Sequence, residues 1–110
     1  MKIRHILGKK EFVEILNGGK RTRGEKTTVY TGGTSEEEAV GLIVPKKMVD
    51  SAVTRNYLRR SIYAYFRDLP ESEGAKKRTV IRIISPIDKT NKKKAGLEIK
   101  KEIEKARQKA

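Results

Sequence analysis

The sequence predicts an α+β fold in which helices pack on a small mixed sheet as a two-layer sandwich, with elements in the order α-β-β-α-β-α. Three observations carry this. Apolar residues recur at helical spacing in three segments. Three other segments are β-branched or continuously apolar runs of strand length. Glycine or proline separates most of these segments from the next.

The first helix follows a basic segment, residues 1–8. From Lys9 to Asn17 it carries Phe12, Val13, Ile15 and Leu16, with Phe12 and Leu16 four residues apart, and Gly18-Gly19 marks its end. Lys26 to Thr31 (Thr27, Thr28, Val29, Tyr30, Thr31) has the composition of a strand, and Gly32-Gly33 predicts a turn after it. Glu36-Glu37-Glu38 extends that loop. The run Ala39 to Val44 is continuously apolar and closed by Pro45, the pattern of a buried, central strand.

Between Ser51 and Leu69 the residues Leu58, Ile62, Tyr65, Phe66 and Leu69 share one helical face, and Pro70 lies just beyond. This is the longest helix. Thr79 to Ser85 is a β-branched run ended by Pro86. Ala95, Ile99, Ile103 and Ala106 then mark one face of a Lys-rich terminal helix over about residues 91–108.

At 110 residues the chain has room for one modest core, so a single domain spanning 1–110 is expected. Its 27 Lys and Arg against 14 Asp and Glu give a formal net charge of +13, which seeks a polyanion. An anionic membrane would need a long apolar run or a strongly apolar helix face, and the apolar runs here are short and strand-like. Nucleic acid is the better partner. With no Cys there is neither a disulfide nor a thiolate metal site, and Met1 to His5 is basic without the apolar stretch of a secretory signal. A cytoplasmic location follows as the expectation.

Catalytic apparatus is hard to find. The sequence holds no Ser-His-Asp or Cys-His set and no Gly-rich phosphate loop, and its one histidine, His5, reads as solvated near the terminus. Consecutive carboxylates at Glu36, Glu37 and Glu38 diverge, whereas a nuclease metal site needs carboxylates converging from separate elements. The expectation is therefore no catalytic residue and no metal ligand in the polypeptide.

Binding chemistry is concentrated from Val40 to Arg67. A buried strand delivers Lys46-Lys47 to a connection that feeds the long helix. At about 100° per residue, Asn56, Arg60, Tyr63 and Arg67 fall on the face opposite the apolar stripe, with Arg59 on its flank. Arg offers a planar charged fork to phosphate, Asn donates and accepts at once, and Tyr can stack on a base. Farther back, Tyr30 and Val29 alternate along a strand, so one belongs to the core and the other is available to a base. The exposed role is assigned to Tyr30.

The strand Val40-Gly41-Leu42-Ile43-Val44, the Lys46-Lys47 pair and then Ala52-Val53-Thr54-Arg55-Asn56-Tyr57-Leu58-Arg59-Arg60 resemble the signature of the bacterial ribonuclease P protein subunit. Phe12, Leu16 and Gly19-Lys20-Arg21 near the N-terminus fit the same pattern, and the likeness runs over roughly residues 4 to 106. There are departures. The family usually carries Arg where this chain has Tyr57 and Tyr63, and a Gly after the Lys pair. Here Met48 to Ser51 reads one residue longer, Leu16 replaces a common aromatic, and Ser85-Pro86 stands for Arg-Pro.

The resemblance implies a ribosomal-protein-S5-domain-2-like fold with a left-handed β-α-β crossover, against the right-handed rule. It implies a protein component of an RNA-based endoribonuclease that assists removal of the 5′ leader of precursor tRNA. No cofactor is bound by the protein alone, and Mg²⁺ is used by the catalytic RNA. Expected partners are that RNA and precursor tRNA, with a monomeric protein in the holoenzyme. Lys46, Lys47, Arg55, Asn56, Arg59 and Arg60 would meet the catalytic RNA, and Phe12, Leu16 and Tyr30 would line the leader cleft. Tyr63 and Arg67 join the first surface by their place on the helix. A ribosomal or ribosome-assembly RNA-binding protein is the alternative reading, since the same charge would serve it.

Overall fold

The computed structural model describes residues 2–70 and 76–109, so residue 1 of the basic N-terminal segment lies outside it. The elements are β1 (Ile3–His5), α1 (Lys9–Gly18), β2 (Lys20–Arg23), β3 (Thr27–Thr34), β4 (Glu38–Ile43), α2 (Ala52–Arg67), β5 (Lys77–Ile83) and α3 (Lys92–Lys109). All six expected elements are present, together with two strands, β1 and β2, that the sequence did not suggest. The mixed sheet has the order β1-β4-β5-β3-β2. Pairs β1/β4 and β4/β5 are parallel, whereas β5/β3 and β3/β2 are antiparallel. β4 is interior, as its apolar run required, although the middle position belongs to β5.

Side-chain alternation along the strands separates two cores. On one face Val29, Val40, Ile81 and Ile83 pack with Leu58, Ile62 and Phe66 of α2 and Ala95, Ile99, Ile103 and Ala106 of α3. On the other, Ala39 and Val80 pack with Ile6 and with Ile15 of α1, and Phe12, Leu16, Tyr30 and Ile43 close around them. So α2 and α3 cover one face and α1 lies across the other. The apolar stripe of α2 is buried at Thr54, Leu58, Ile62 and Phe66, four residues apart each time. Ser51 caps this helix, its side-chain oxygen accepting from the Thr54 N–H.

Two sequence expectations need correction. Gly32-Gly33 is not a turn: β3 continues to Thr34, with a register shift between Thr31 and Thr34. A Cβ on Gly32 would lie 3.3 Å from Ile15 Cγ1, so the missing side chain lets α1 settle on the sheet. Glu38 is likewise not in a loop. It opens β4 fully buried, pairs with Arg107 of α3, and accepts a hydrogen bond of 3.0 Å from the Lys77 N–H. Arg107 also lies 5.5 Å from the Phe66 ring centroid, so the end of α3 is fastened to the sheet by a charge pair beneath an aromatic.

Candidate nucleic-acid interface

β4 and β5 are parallel neighbours joined through α2, and the connection between β4 and α2 displays Lys46 and Lys47. The Pro45 carbonyl accepts from the Met48 and Val49 N–H groups, both at 3.0 Å, which closes a turn with the two lysines at its tip. Val49 is fully buried behind them, and the Ile87 N–H donates to the Met48 carbonyl. The turn is thus held from below while both lysine side chains are exposed.

Asn56, Arg59, Arg60 and Arg67 are exposed on α2, and Arg55 is half-buried. Every one of the 16 residues of α2 is neutral or basic. Such a face presents cations and hydrogen-bond donors without a neighbouring carboxylate on its own helix to compete for them. Tyr63 departs from the expected stripe. It is half-buried against the larger core, and its ring stacks on His5 of β1, with centroids 4.0 Å apart and planes 4° apart. Burial pushes its phenol pKa up, partly opposed by the nearby Arg59 charge. His5, read as solvated, is exposed but stacked, and this face of Tyr63 is already occupied.

A second surface lies on the α1 face of the sheet. Phe12, Leu16 and Tyr30 come together there, each half-buried against the smaller core, while Val29 is core; Tyr30, expected to be exposed, is therefore only partly so. Gly41 makes the floor: a Cβ on it would meet Phe12 Cε1 and Cζ at 2.8 Å, so the ring lies directly on the β4 backbone. Carboxylates on α1 fix the angle of the helix. Arg4 of β1 makes two hydrogen bonds of 2.7 Å to Glu11, and Arg78 of β5 approaches Glu11 at 3.6 Å and Glu14 at 3.4 Å. These contacts hold the Glu11 carboxyl below its ordinary pKa, Arg4 being the larger influence.

Sequence reasoning missed the cations of this second surface. Arg21 of β2 is directly opposite Tyr30, and Arg82 of β5 is directly opposite Thr28. Opposed residues share a face, so both arginines lie on the Tyr30 side, and both are exposed. For Arg82 a signal existed, because it is the one charge inside the run from Thr79 to Ser85 and its neighbours Ile81 and Ile83 are both core. For Arg21 the signal was the Gly19-Lys20-Arg21 match, but nothing marked β2 as a strand: Lys20-Arg21-Thr22-Arg23 has no apolar alternation, being an edge strand that pairs on one side only.

The structure thus combines a Lys46-Lys47 turn leading into an acid-free helix with a second surface, flanked by Arg21 and Arg82, on the other face of the mixed sheet. A family model described as Ribonuclease P matches residues 1–110. The chain belongs to the ribonuclease P protein family. Solved ribonuclease P proteins share its fold. One from Staphylococcus aureus is 24% identical with a TM-score of 0.72, covering 94% of this chain and 91% of its own. One from Thermotoga maritima is 17% identical with a TM-score of 0.70, covering 94% of each chain. Among curated proteins, none matches. Within this family frame, Tyr57 and Tyr63 differ from each other: Tyr63 is committed to His5, and Tyr57 faces α3, where the Lys92 ammonium lies 4.8 Å from its ring centroid. No helix among the described residues is long and apolar enough to cross a membrane.

Proposed function

We propose that this chain, as a single cytoplasmic domain, is the protein component of ribonuclease P and works by binding two RNAs on two faces. Lys46, Lys47, Arg55, Asn56, Arg59, Arg60 and Arg67 contact the catalytic RNA. The cleft of Phe12, Leu16 and Tyr30 takes the single-stranded 5′ leader of precursor tRNA, and Arg21 and Arg82 supply its phosphate contacts. The observation that carries this reading is the separation of an acid-free cationic helix from a half-buried aromatic patch flanked by exposed arginines, on the other side of the sheet.

Each surface suits a different RNA form. Arginines and lysines on a rigid helix neutralise a folded RNA backbone irrespective of its bases. Aromatic rings with flanking arginines suit unpaired bases, whose faces are free to stack. Bound as one copy to one catalytic RNA, the protein bridges that RNA and its substrate, while the RNA and its Mg²⁺ carry the cleavage chemistry.

The test is 5′ maturation of precursor tRNA by a bacterial ribonuclease P RNA across a Mg²⁺ titration, with and without the protein. Protein cations replace part of the counterion requirement, so the Mg²⁺ midpoint is expected to fall when protein is added. Specific cleavage by protein free of RNA would overturn the assignment of chemistry to the RNA, and an unchanged midpoint would overturn the proposed role.

A further inference from the structure

A third cationic surface lies between α2 and α3, outside both faces described above. Gly96 of α3 is buried against α2: a Cβ on it would sit 3.7 Å from Ser61 Oγ and 3.9 Å from Tyr57 Cε1. The helices therefore approach closely, and beside the contact they leave an open groove of about 200 Å³ lined by Tyr57, Ser61, Lys93, Gly96, Leu97 and Lys100.

The charge of this groove is one-sided. Lys93 and Lys100 are seven residues apart on α3, two helical turns or about 10 Å along one wall. The other wall is α2, which carries no acid. Glu98 and Glu102 point elsewhere, lining the space beside Lys26 and the β2–β3 turn, where Glu102 accepts from the Lys26 and Thr27 N–H groups. Glu104, four residues after Lys100, is not among the residues lining the groove. Arg60 is three residues from Tyr57 on the neighbouring face of α2 and lies outside the groove lining, whose cations come from α3.

We propose that the α2–α3 groove binds the phosphodiester backbone of RNA without regard to base sequence. Local contacts disfavour base recognition. Lys92 sits over the face of the Tyr57 ring at 4.8 Å, where a base would otherwise stack, and the remaining wall is Leu97, 62% exposed, with Ser61. Lysines in a row act as point charges for phosphates and carry no geometric code for a base edge. The inference rests on the chain being an RNA binder, and is independent of whether Arg60 contacts the catalytic RNA.

The experiment compares Lys93→Glu/Lys100→Glu with a charge-matched pair on another side of α3, Lys101→Glu/Lys105→Glu. Arg60→Ala is measured in parallel, and thermal melts establish that each variant folds. Affinity for a bacterial ribonuclease P RNA and for a mixed-sequence RNA duplex is read over a range of KCl concentrations. The groove pair is expected to lose tenfold or more on both RNAs and to reduce the salt slope by about two, one for each phosphate contact. The matched pair should lose no more than about threefold on this electrostatic account. Equal losses from the two pairs would overturn the groove site in favour of diffuse attraction, and a loss confined to one duplex sequence would overturn the claim of sequence independence. Should Arg60→Ala have no effect while the groove pair does, the helix-face reading fails and the groove stands; the opposite pattern removes the groove alone.

Discussion

The buried Glu38–Arg107 pair makes a sharp prediction about how α3 is held. Glu38 is fully buried and the Arg107 side chain is 12% exposed. Replacing Arg107 with Met keeps much of the volume over Phe66 but leaves a carboxylate inside the protein with the Lys77 N–H as its remaining polar contact among the described hydrogen bonds. Removing one partner of a buried ion pair costs about 3–5 kcal/mol. At roughly 2.1 cal/mol/K of unfolding entropy per residue, a chain this size has an unfolding entropy of about 0.23 kcal/mol/K. The expected fall in Tm is therefore about 13–22 °C for Arg107→Met.

Calorimetry or far-UV circular dichroism measures it directly. In the double variant Glu38→Gln/Arg107→Met the stranded charge is gone, and the amide oxygen can still accept from Lys77, so at least half of the lost stability should return. A single-variant cost under about 1 kcal/mol would refute the reasoning, because it would mean the pair behaves as a solvated surface contact.

Gly41→Ala would place a methyl group 2.8 Å from the Phe12 ring and 3.1 Å from Ile6 Cβ, lifting the ring from the sheet at an overpacking cost of about 1–3 kcal/mol. Leader-dependent affinity, taken as precursor against mature tRNA, should fall several-fold while affinity for the catalytic RNA stays within about twofold, and equal losses would contradict two separate surfaces. Arg67→Ala should flatten the salt dependence of RNA binding by about one phosphate's worth, whereas Tyr63→Leu should lower Tm and leave that slope unchanged, since its ring is engaged with His5. Glu11 has a folded pKa below its ordinary value of 4.5, so its pairing with Arg4 stabilises above that value and the stabilisation is lost as pH falls through the lowered pKa. Denaturant titrations on descending below about pH 5 should show Glu11→Gln to be less acid-sensitive than the parent, and parallel curves would exclude this pair as a contributor.

Much of the candidate site was legible because its signals are local. The Lys46-Lys47 turn, the azimuth of Asn56, Arg60 and Arg67, and the alternation of Val29 and Tyr30 all follow from chain geometry within a few residues. What escaped depends on partners far along the chain. Arg82 and Arg21 become part of the cleft through their registers against β3. Tyr63 left the RNA-facing stripe because β1, a three-residue strand too short to show a period, places His5 against it.

By itself the sequence determined the order and type of the six longer elements, the demand for a polyanionic partner, and the likeness of its Lys-Lys and Arg-Asn segments to ribonuclease P proteins. Periodicity, charge and motif spacing are properties of neighbouring residues, and folding does not change them. Tertiary structure alone decided which face of the sheet α1 covers, that Gly32 and Gly41 serve as seats for Ile15 and Phe12, and that Glu38 is buried with Arg107 sixty-nine residues away. The physical reason is that burial and pairing depend on which surfaces meet. A carboxylate among three consecutive glutamates reads as solvent-facing until a guanidinium from the last helix arrives to compensate its charge.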